Sequence, residues 1–305
     1  MILFYVIRES ETLRSICKQI ESETQINIAW LNQYELVNSG LFYSENINNK
    51  IHGTIQLSED SKFISTKDIK ICFVAQFPYI AGEWIPYENY YDKIYAQQEW
   101  NASMVATFLT QEHIKYINPL VAKFDLNTEL EQLMLLQQFN IKTVDIVLTN
   151  NSDKALEHYN KWNRAVLFKS VRSGYDTSAV MEIPDLARLE KLHISPVIFQ
   201  KQIMGKEITV CLLGNNILAN EIEYINNNPV SKPVSLPEEL NKNIIKLSKH
   251  INAPWILMNF LFQEDNNDYF AYSINIYPDF DVVYSIYGEP FTTLLKGYLV
   301  EEYNK

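Results

Sequence analysis

Apolar and polar residues follow one another along the first third of the chain in blocks of strand and helix length. MILFYVI is an apolar run of strand length, and the polar segment after it carries Leu13, Ile16 and Ile20 at helical spacing. INIAWLN predicts a second strand, KIHGTIQLS half of a small hairpin, and IKICFVAQFP a strand buried on both faces. A stretch without glycine or proline over 87–108 predicts a long helix. This alternation predicts a parallel, doubly wound sheet over 1–117.

A change of pattern marks a second unit over 118–195. LNTELEQLMLLQQFN predicts a helix that Asn127 or Thr128 can cap. Its apolar residues on one predicted face are Leu130, Leu133, Met134 and Leu136. TVDIVLT predicts a strand, SDKALEHYNKW a helix capped by Ser152, and RAVLFKSV another strand. Two helices beside a small antiparallel sheet predict a compact α+β lobe.

The third unit, 196–305, is dominated by strand patterns. PVIFQKQI, KEITVCLLG and NILANEIEYI predict three strands, with a hairpin turn at 214–216 between the last two. The proline-broken segment NNNPVSKPVSLP predicts a loop, and Ser235 with Glu238 predicts a capping box for the helix that follows. WILMNFLFQ and YFAYSINI predict two more strands, and a last helix is expected over about 290–303.

Composition narrows the function classes. The chain has 305 residues, and 47% of them are hydrophobic. This length is too great for one small core, so two or three subdomains are expected. The net charge of −11 argues against binding to nucleic acids or to anionic membranes, since both need clustered Lys and Arg. No apolar run reaches the roughly 18 residues of a membrane span. The 8 glycines leave little material for a phosphate-binding loop of the usual kind.

The cysteines and the first residues of the chain indicate the cellular compartment. Cys17, Cys72 and Cys211 are odd in number and show no metal-binding or disulfide spacing, as expected in a reducing compartment. The first residues have no basic segment before the apolar run, so we expect a strand there and not a signal peptide. These features predict a cytoplasmic protein.

Several short segments along the chain are informative through their order and spacing. They are INP at 117–119, VLTN at 147–150, VLFKS at 166–170, SPVIFQKQIMGKEITV at 195–210, NEIE at 220–223, and MNF at 258–260 with SIN at 273–275. Their order and spacing resemble the ATP-grasp superfamily, and more narrowly the microviridin-type (graspetide) ligases of ribosomal peptide (RiPP) maturation. The long segment at 195–210 is the most specific of them.

The resemblance implies an α/β fold class with α+β lobes. A pre-ATP-grasp domain would span 1–117, a small lobe 118–195 and a larger lobe 196–305. ATP and Mg²⁺ would lie between the lobes, where a peptide carboxylate is phosphorylated and then attacked by a hydroxyl or amine, giving an ester or amide. Such chemistry depends on charge neutralisation and positioning. The implied partners are a precursor (leader) peptide and a sister ATP-grasp ligase, and a homodimer is left open.

The resemblance also implies nucleotide-binding residues. Lys169 ends an apolar strand where the family has a phosphate-contacting lysine, although a lysine can also extend to solvent from any strand edge. Gln200, Lys201 and Ile203 lie on the hinge, where backbone groups would hold adenine, and an ordinary alternating strand is the other interpretation. Arg172, in the loop after Lys169, is a further candidate for contact with phosphate.

Other cationic positions of the family pattern are replaced. Thr128 or Glu129 stands where an earlier lysine is expected, and a hinge-strand arginine is replaced within 207–209, which reads Glu-Ile-Thr. The segment 223–236, where the family has an Asp-Trp-Arg element, contains no arginine, and its only cation is Lys232.

The metal positions differ as well. Asn259 and Ser273 stand where the resemblance implies an aspartate and a glutamate, and only Asn275 matches the expected ligand. Neutral oxygens hold Mg²⁺ more weakly than carboxylates do. Asp279 and Asp281, just beyond the last strand, are candidate substitutes.

Three functions are therefore open. The first is an ATP-dependent peptide ligase with a substituted site, and the second is a non-catalytic relative that binds a precursor peptide or a partner ligase. The third is an ATP-grasp-fold enzyme with a chemistry that does not need the usual Mg²⁺ pair. The five histidines show no ligand spacing, and no nucleophile motif or Walker loop is present, so the catalytic residues stay unassigned.

Overall fold

Four sheets organise the part of the chain that the computed structural model describes, which is residues 1–6, 10–47, 50–56, 62–75, 85, 87–109, 111–118, 128–171, 178–225 and 228–305. The strands are β1 (Ile2–Val6), β2 (Ile28–Asn32), β3 (Leu41–Ile47), β4 (Lys50–Gln56), β5 (Ile64–Ser65), β6 (Ile71–Val74), β7 (Lys115–Ile117), β8 (Ile146–Thr149), β9 (Val166–Lys169), β10 (Ala179–Val180), β11 (Val197–Lys201), β12 (Lys206–Leu213), β13 (Asn216–Ile225), β14 (Asn228–Pro233), β15 (Trp255–Gln263) and β16 (Asp268–Asn275). The helices are α1 (Glu11–Thr24), α2 (Gln33–Ser39), α3 (Tyr90–Met104), α4 (Glu129–Gln138), α5 (Ser152–Lys161), α6 (Glu238–Ile251), α7 (Phe280–Tyr287) and α8 (Glu289–Asn304). A 3₁₀ segment spans Ile183–Ile194.

The first unit contains the predicted parallel sheet, in the order β2-β1-β6-β7. β1 and β6 are buried along their whole length, as expected for strands covered on both faces. Ser10 caps α1, which buries its apolar side at Leu13, Ile16 and Ile20. A second, antiparallel sheet, β3-β4-β5, contains the predicted hairpin. The predicted long helix is α3, which continues into a π-helical turn, Val105–Leu109.

An aromatic stack joins the first unit to the last one. The ring of Phe73 on β6 lies between Phe4, at a centroid distance of 5.2 Å, and Trp255 of β15, at 4.8 Å. Trp255 is fully buried and also stacks on Phe291 of α8 at 6.2 Å. Stacked aromatic rings bury large apolar areas, so this contact makes the first sheet and the large sheet parts of one core.

The small lobe has an antiparallel sheet in the order β10-β9-β11-β8, with α5 packed on one face. β11 follows the predicted unit boundary at 195/196 but pairs with β8 and β9, so this strand belongs to the small sheet. Two details of the prediction were wrong. The α5 helix is capped by Asn151 and not by Ser152, and Met134 of α4 is 55% exposed while Leu135 is buried.

The large lobe has a five-stranded antiparallel sheet in the order β14-β13-β12-β15-β16. α6 and α4 pack with one face, whereas α7 and α8 pack with the other. The turn between β12 and β13 contains Gly214 with φ of 66°, a conformation that favours glycine. The edge strand β14 lies within the predicted loop after β13, and the predicted capping box of Ser235 does not form. The predicted last helix is α8, and the helix before it, α7, was not predicted.

A β-bulge interrupts the pairing of β15 with β16. Asn259 pairs with Ser273, but Phe260 pairs with Ala271, so Tyr272 is an extra residue in β16. A bulge places two successive side chains on the same side of a sheet. Ala271 and Ile274 accordingly belong to the core beneath α6, and the Tyr272 ring packs against the margin of that core. The hydroxyl groups of Tyr272 and Ser273 contact Glu207 and Asn259, which lie on the opposite face.

Candidate functional site

The hinge and the two sheets that it joins enclose a cleft. On the small sheet, Phe199 packs toward α5, so Ile198 and Gln200 lie on the other face. Lys169 pairs with Ile198 and shares that face. Helix α4 lies along the edge of β16, where Gln132 accepts a bond from the Ile274 N–H at 3.5 Å. The cleft therefore lies between Lys169 and the bulged end of β16.

A cavity of about 310 Å³ lies at the hinge end of this cleft. Its walls include Thr143, Lys201, Gln202, Ile203, Met204 and Phe270. The hinge backbone is held from the small lobe, because Lys201 N–H donates to the Asp145 carbonyl and Gln202 N–H to the Ala165 carbonyl, both at 2.9 Å. Two of the predicted hinge residues, Lys201 and Ile203, thus border a cavity large enough for a small ligand.

Lys169 lies in the cleft and already has an anionic partner. Its Nζ is 2.8 Å from Glu129 Oε1, and the two side chains are 15% and 12% exposed. Glu129 is in the first turn of α4, after the N-cap Thr128. The residue at the position of an expected second lysine therefore neutralises the first one.

Tyr272 extends this pair across the cleft to the large lobe. Lys169 Nζ lies 5.9 Å from the centre of the Tyr272 ring, within cation–π range. The Tyr272 hydroxyl donates to Glu207 Oε1 at 2.8 Å. We name the four residues Glu129, Lys169, Tyr272 and Glu207 the cleft chain. The Glu207 carboxylate also raises the pKa of the Tyr224 hydroxyl, and burial adds to this shift.

The two substituted metal positions hydrogen bond to each other. Thr209 Oγ1 donates to Asn259 Oδ1 at 3.1 Å, and Asn259 Nδ2 donates to Ser273 Oγ at 2.9 Å. We name Thr209, Asn259 and Ser273 the neutral ladder. Its members carry no charge, and the Asn259 carbonyl oxygen is engaged by Thr209. These residues do not fit Mg²⁺, which prefers carboxylates among its oxygen ligands.

The remaining candidate ligands have structural contacts. Asn275 Oδ1 accepts from Tyr277 N–H at 2.8 Å, which forms a turn at the end of β16. Asp279 caps α7 by accepting from the N–H groups of Asp281 and Val282. Asp281 Oδ1 accepts from the Ser10 hydroxyl at 2.5 Å. These contacts favour capping and domain contact over metal binding, and no metal-binding group of three His, Cys, Asp or Glu occurs in the described residues.

Gln200 is one of the buried polar residues on the cleft face. Its side chain is 2% exposed, and its Oε1 has no hydrogen-bond partner among the residues that the structure describes. A buried carbonyl without a partner is costly, so within the described part of the site Gln200 Oε1 is an acceptor that is not used. Arg172, the predicted phosphate contact, lies outside the described residues.

Cysteine chemistry is not supported in this fold. Cys17, Cys72 and Cys211 are buried, and burial raises the pKa of each thiol, that of Cys211 to about 12. A thiol with a raised pKa is not a nucleophile at neutral pH.

Within the described range, no helix is long and apolar enough to cross a lipid bilayer.

Sequence inspection missed Tyr272, because its position in the cleft depends on the bulge. The sequence of a strand does not show where a bulge will occur, so the face of the sheet on which this tyrosine lies could not be predicted. Glu129 was visible as a replaced lysine, but its ion pair with a residue 40 positions later was not.

No family sequence model matches the chain, and no curated protein is similar to it in sequence. Solved structures are similar in fold. The macrocyclase MdnC bound with precursor peptide MdnA, from Microcystis aeruginosa MRC, has a TM-score of 0.85 at 17% identity, with 98% of this chain and 99% of that chain covered. A RiPP-associated ATP-grasp ligase of Chryseobacterium gregarium, in complex with ADP and a leader and core peptide, has a TM-score of 0.82 at 17% identity, covering 99% and 97%.

A more distant match is the D-alanine–D-alanine ligase of Bacillus anthracis complexed with ATP. Its TM-score is 0.53 at 13% identity, with 99% of this chain and 98% of that chain covered. All three matches cover nearly the whole chain, and the two peptide ligases have the higher TM-scores. The chain therefore has the ATP-grasp fold, in the form found in ligases of ribosomal peptide maturation.

Proposed function

We propose that this protein is a peptide-binding relative of the ribosomal peptide ATP-grasp ligases, one that does not carry out their Mg-ATP ligation. The neutral ladder is the observation that carries the proposal. Asn259 and Ser273 occupy the positions of two expected carboxylates and hydrogen bond to each other at 2.9 Å. They therefore provide two uncharged, mutually engaged groups where Mg²⁺ would need anionic ligands.

The cleft chain supports the same conclusion at the phosphate-binding end. Phosphoryl transfer relies on preorganised positive charge, and a single such group often supplies about 3–4 kcal/mol of transition-state stabilisation. Here the positive charge of Lys169 is matched by Glu129 at 2.8 Å. The Glu207 carboxylate adds a second negative charge among the described cleft residues, so the charges of these side chains oppose a polyphosphate.

The peptide-binding part of the proposal follows from the fold. Two of the similar structures are complexes with a precursor peptide or with a leader and core peptide, and they match this chain over nearly its whole length. Because the fold matches over nearly the whole chain, we expect this protein to have a peptide-binding surface in the corresponding place. A sister ligase as second partner, and the cytoplasmic location, stay predictions.

We expect a precursor peptide of the ribosomal peptide class, sought among the short reading frames next to this chain's gene, to bind with micromolar affinity, equally with and without Mg-ATP. Fluorescence anisotropy of a labelled peptide measures the affinity, and mass spectrometry of the mixture detects ligation as loss of one water per bond. The expected mass is that of the unmodified peptide. Loss of water with this chain alone would show that it is an active ligase.

A second test uses the double substitution Asn259→Asp with Ser273→Glu, which places a carboxylate at each of the two substituted metal positions of the neutral ladder. We expect it to bind Mn²⁺, a paramagnetic substitute for Mg²⁺, at least about tenfold more tightly than the unaltered protein. Water-proton relaxation measures that binding. Equal Mn²⁺ affinities would contradict the role assigned to the ladder.

One feature of the structure favours a homodimer: the exposed edge strand β3 of the three-stranded hairpin sheet. β3 is an edge strand of seven residues without proline or lysine, and its Leu41 and Tyr43 are each 59% exposed. Such edges pair readily with another strand. In an antiparallel pair of two β3 strands centred on Ser44, Tyr43 of one copy lies opposite Glu45 of the other, and the two side chains already hydrogen bond at 2.7 Å within one chain.

We expect a dimer by light scattering coupled to size-exclusion chromatography, and a monomer for Ser44→Pro, since proline removes a backbone donor and cannot join the ladder. Ser44→Thr is the control, because it keeps the hydroxyl that bonds to Thr107 and retains the strand preference. A dimer that persists in a folded Ser44→Pro protein would place the interface elsewhere.

A further inference from the structure

The small sheet ends in an outer strand, β8, whose outward backbone groups have no partner in the described part of the chain. β8 is the last strand in the order β10-β9-β11-β8 and pairs with β11 on its inner side. Alternate residues of an antiparallel pair form the bonds between its strands. Lys201 N–H donates to the Asp145 carbonyl, so Val147 also bonds to β11. The N–H and C=O groups of Ile146 and Leu148 therefore point away from the sheet.

Two helices flank this outer edge. α5 packs with Val147 and Phe199 on one face of the small sheet. Ile146, which faces the other way, packs with the core cluster that contains α4. α4 also reaches that second face through Glu129, which pairs with Lys169 at 2.8 Å. Because the two helices lie on opposite faces, the space between them opens onto the edge of β8.

A groove of about 360 Å³ lies in this space, and we name it the edge groove. Its apolar lining residues come from α4, from β8 with the residues before it, and from the end of α5: Leu130, Leu133, Met134, Val144, Ile146 and Trp162. Met134 is 55% exposed, and Leu148, farther along the same strand, is 38% exposed. Apolar pockets beside unpaired strand groups are typical of sites where an extended peptide adds to a sheet.

The charges of the groove indicate one further property of its ligand. Lys161 lines the groove, and Glu157, one helical turn before it, is bonded to Lys154 at 2.8 Å. The acidic lining residue, Asp145, lies 4.0 Å from Lys201. The carboxylates on either side are thus paired with other lysines, and the Lys161 ammonium group favours a carboxylate supplied by the ligand.

We propose that an extended peptide segment adds to β8 as a further antiparallel or parallel strand, with alternate apolar side chains in the edge groove and an acidic residue beside Lys161. The identity of this occupant rests on the proposed peptide-binding function, and the inference adds a place and a class of sequence to that function. The main-chain hydrogen bonds to Ile146 and Leu148 supply affinity, whereas the groove and Lys161 select the side chains.

The test uses capped, fluorescein-labelled peptides that consist of Val-Thr-Val-Thr-Val with a glutamate at one end or the other, since the strand direction is open. Fluorescence anisotropy is expected to give a Kd below about 100 µM for one of the two. The same peptide with lysine in place of glutamate is expected to bind about threefold more weakly, as for an exposed ion pair. No binding of any of these peptides would overturn the proposal.

Leu148→Pro tests the strand addition. Proline removes the outward N–H and leaves the bonds from β8 to β11 in place, because proline is tolerated in an edge strand where the N–H faces solvent. We expect binding at least about tenfold weaker, whereas Leu148→Ala, which keeps the N–H, changes it less than about threefold. Equal affinities of the two variants would contradict strand addition. Circular dichroism and thermal unfolding confirm that each variant is folded.

Lys161→Glu tests the selection of charge. We expect this variant to prefer the lysine peptide over the glutamate peptide, the reverse of the unaltered protein. Lys154→Glu is the control, because it makes the same change on the same helix at an exposed position outside the groove, and the preference for glutamate should persist. An unchanged preference in Lys161→Glu, or a reversal in both variants, would refute the role of Lys161.

The precursor peptide separates this inference from the proposed function. A precursor that binds the unaltered protein and Leu148→Pro equally well would overturn the edge groove and leave the peptide-binding function intact. If the test peptides bind as expected and no precursor binds, the groove stands and the proposed function fails. A dimer that Leu148→Pro dissociates, with no change in peptide affinity, would assign the β8 edge to a second copy of the chain and overturn the proposal.

Discussion

Asn118→Ala is expected to lower the free energy of unfolding by about 3–4 kcal/mol. The Asn118 side chain is fully buried between the first unit and the large lobe. Its Oδ1 accepts from the backbone N–H of Trp255 at 2.9 Å, and its Nδ2 donates to the backbone carbonyl oxygens of Trp255 and Ile276. Alanine leaves three buried backbone groups without partners, and each such group costs about 1–3 kcal/mol before the surroundings relax. Urea denaturation followed by tryptophan fluorescence measures the change.

Two further variants make this result specific. Asn118→Asp keeps the oxygen that accepts from Trp255 N–H but loses both donated bonds and places a charge in the core, so it is expected to be at least as destabilising. Asn160→Ala, at an exposed position of α5, changes the same residue type outside any core and is expected to have little effect. A loss of less than about 1 kcal/mol in Asn118→Ala would show that Asn118 does not join the two units energetically.

Lys169→Met is expected to destabilise the protein by about 3 kcal/mol, because the substitution leaves the Glu129 carboxylate in a largely buried position without its cation. The methionine retains most of the apolar stem, so the effect reports the charge and not a cavity. The Tyr272 ring also loses its cation–π contact, which adds a smaller cost. The urea midpoint is the measurement, with the slope of the transition checked for a change in the surface exposed on unfolding.

A double-mutant cycle isolates the pair. Lys169→Met combined with Glu129→Gln is expected to recover most of the lost stability, since neither partner then leaves an unpaired charge. Lys154→Met is the matched control: its pair with Glu157 is 2.8 Å long, like the cleft pair, but both side chains are well exposed. Exposed pairs contribute little, so that variant should be close to the unaltered protein. Additive single effects in the cycle would mean that Lys169 and Glu129 are not coupled.

Local patterns predicted most of the elements. The unbroken apolar runs at β1 and β6 and the helical spacing of Leu13, Ile16 and Ile20 were sufficient, because burial of a strand or helix face leaves its period in the sequence. The errors occurred where local signals are weak. β14 contains two prolines, which an edge strand tolerates, and α7 and α8 are separated by a single glycine with φ of 56°.

The site was predictable in its residue types and not in its contacts. The uncharged residues at 259 and 273 and the glutamate at 129 are visible in the sequence, so doubt about Mg-ATP chemistry arises without a structure. That Asn259 and Ser273 bond to each other depends on the pairing of β15 with β16. Asp279 and Asp281, candidates by proximity in sequence, are used by α7 and by Ser10 instead.

The sequence by itself therefore determined most of the strands and helices and the types of residue along the cleft, because hydrophobic periodicity and residue identity are local properties. Only the tertiary structure decided that Tyr272 enters the cleft and that Glu129 neutralises Lys169 from 40 positions away. The physical reason is that both contacts depend on how separate units align. A shift of one residue in a strand register moves side chains to the opposite face, and no local pattern encodes that alignment.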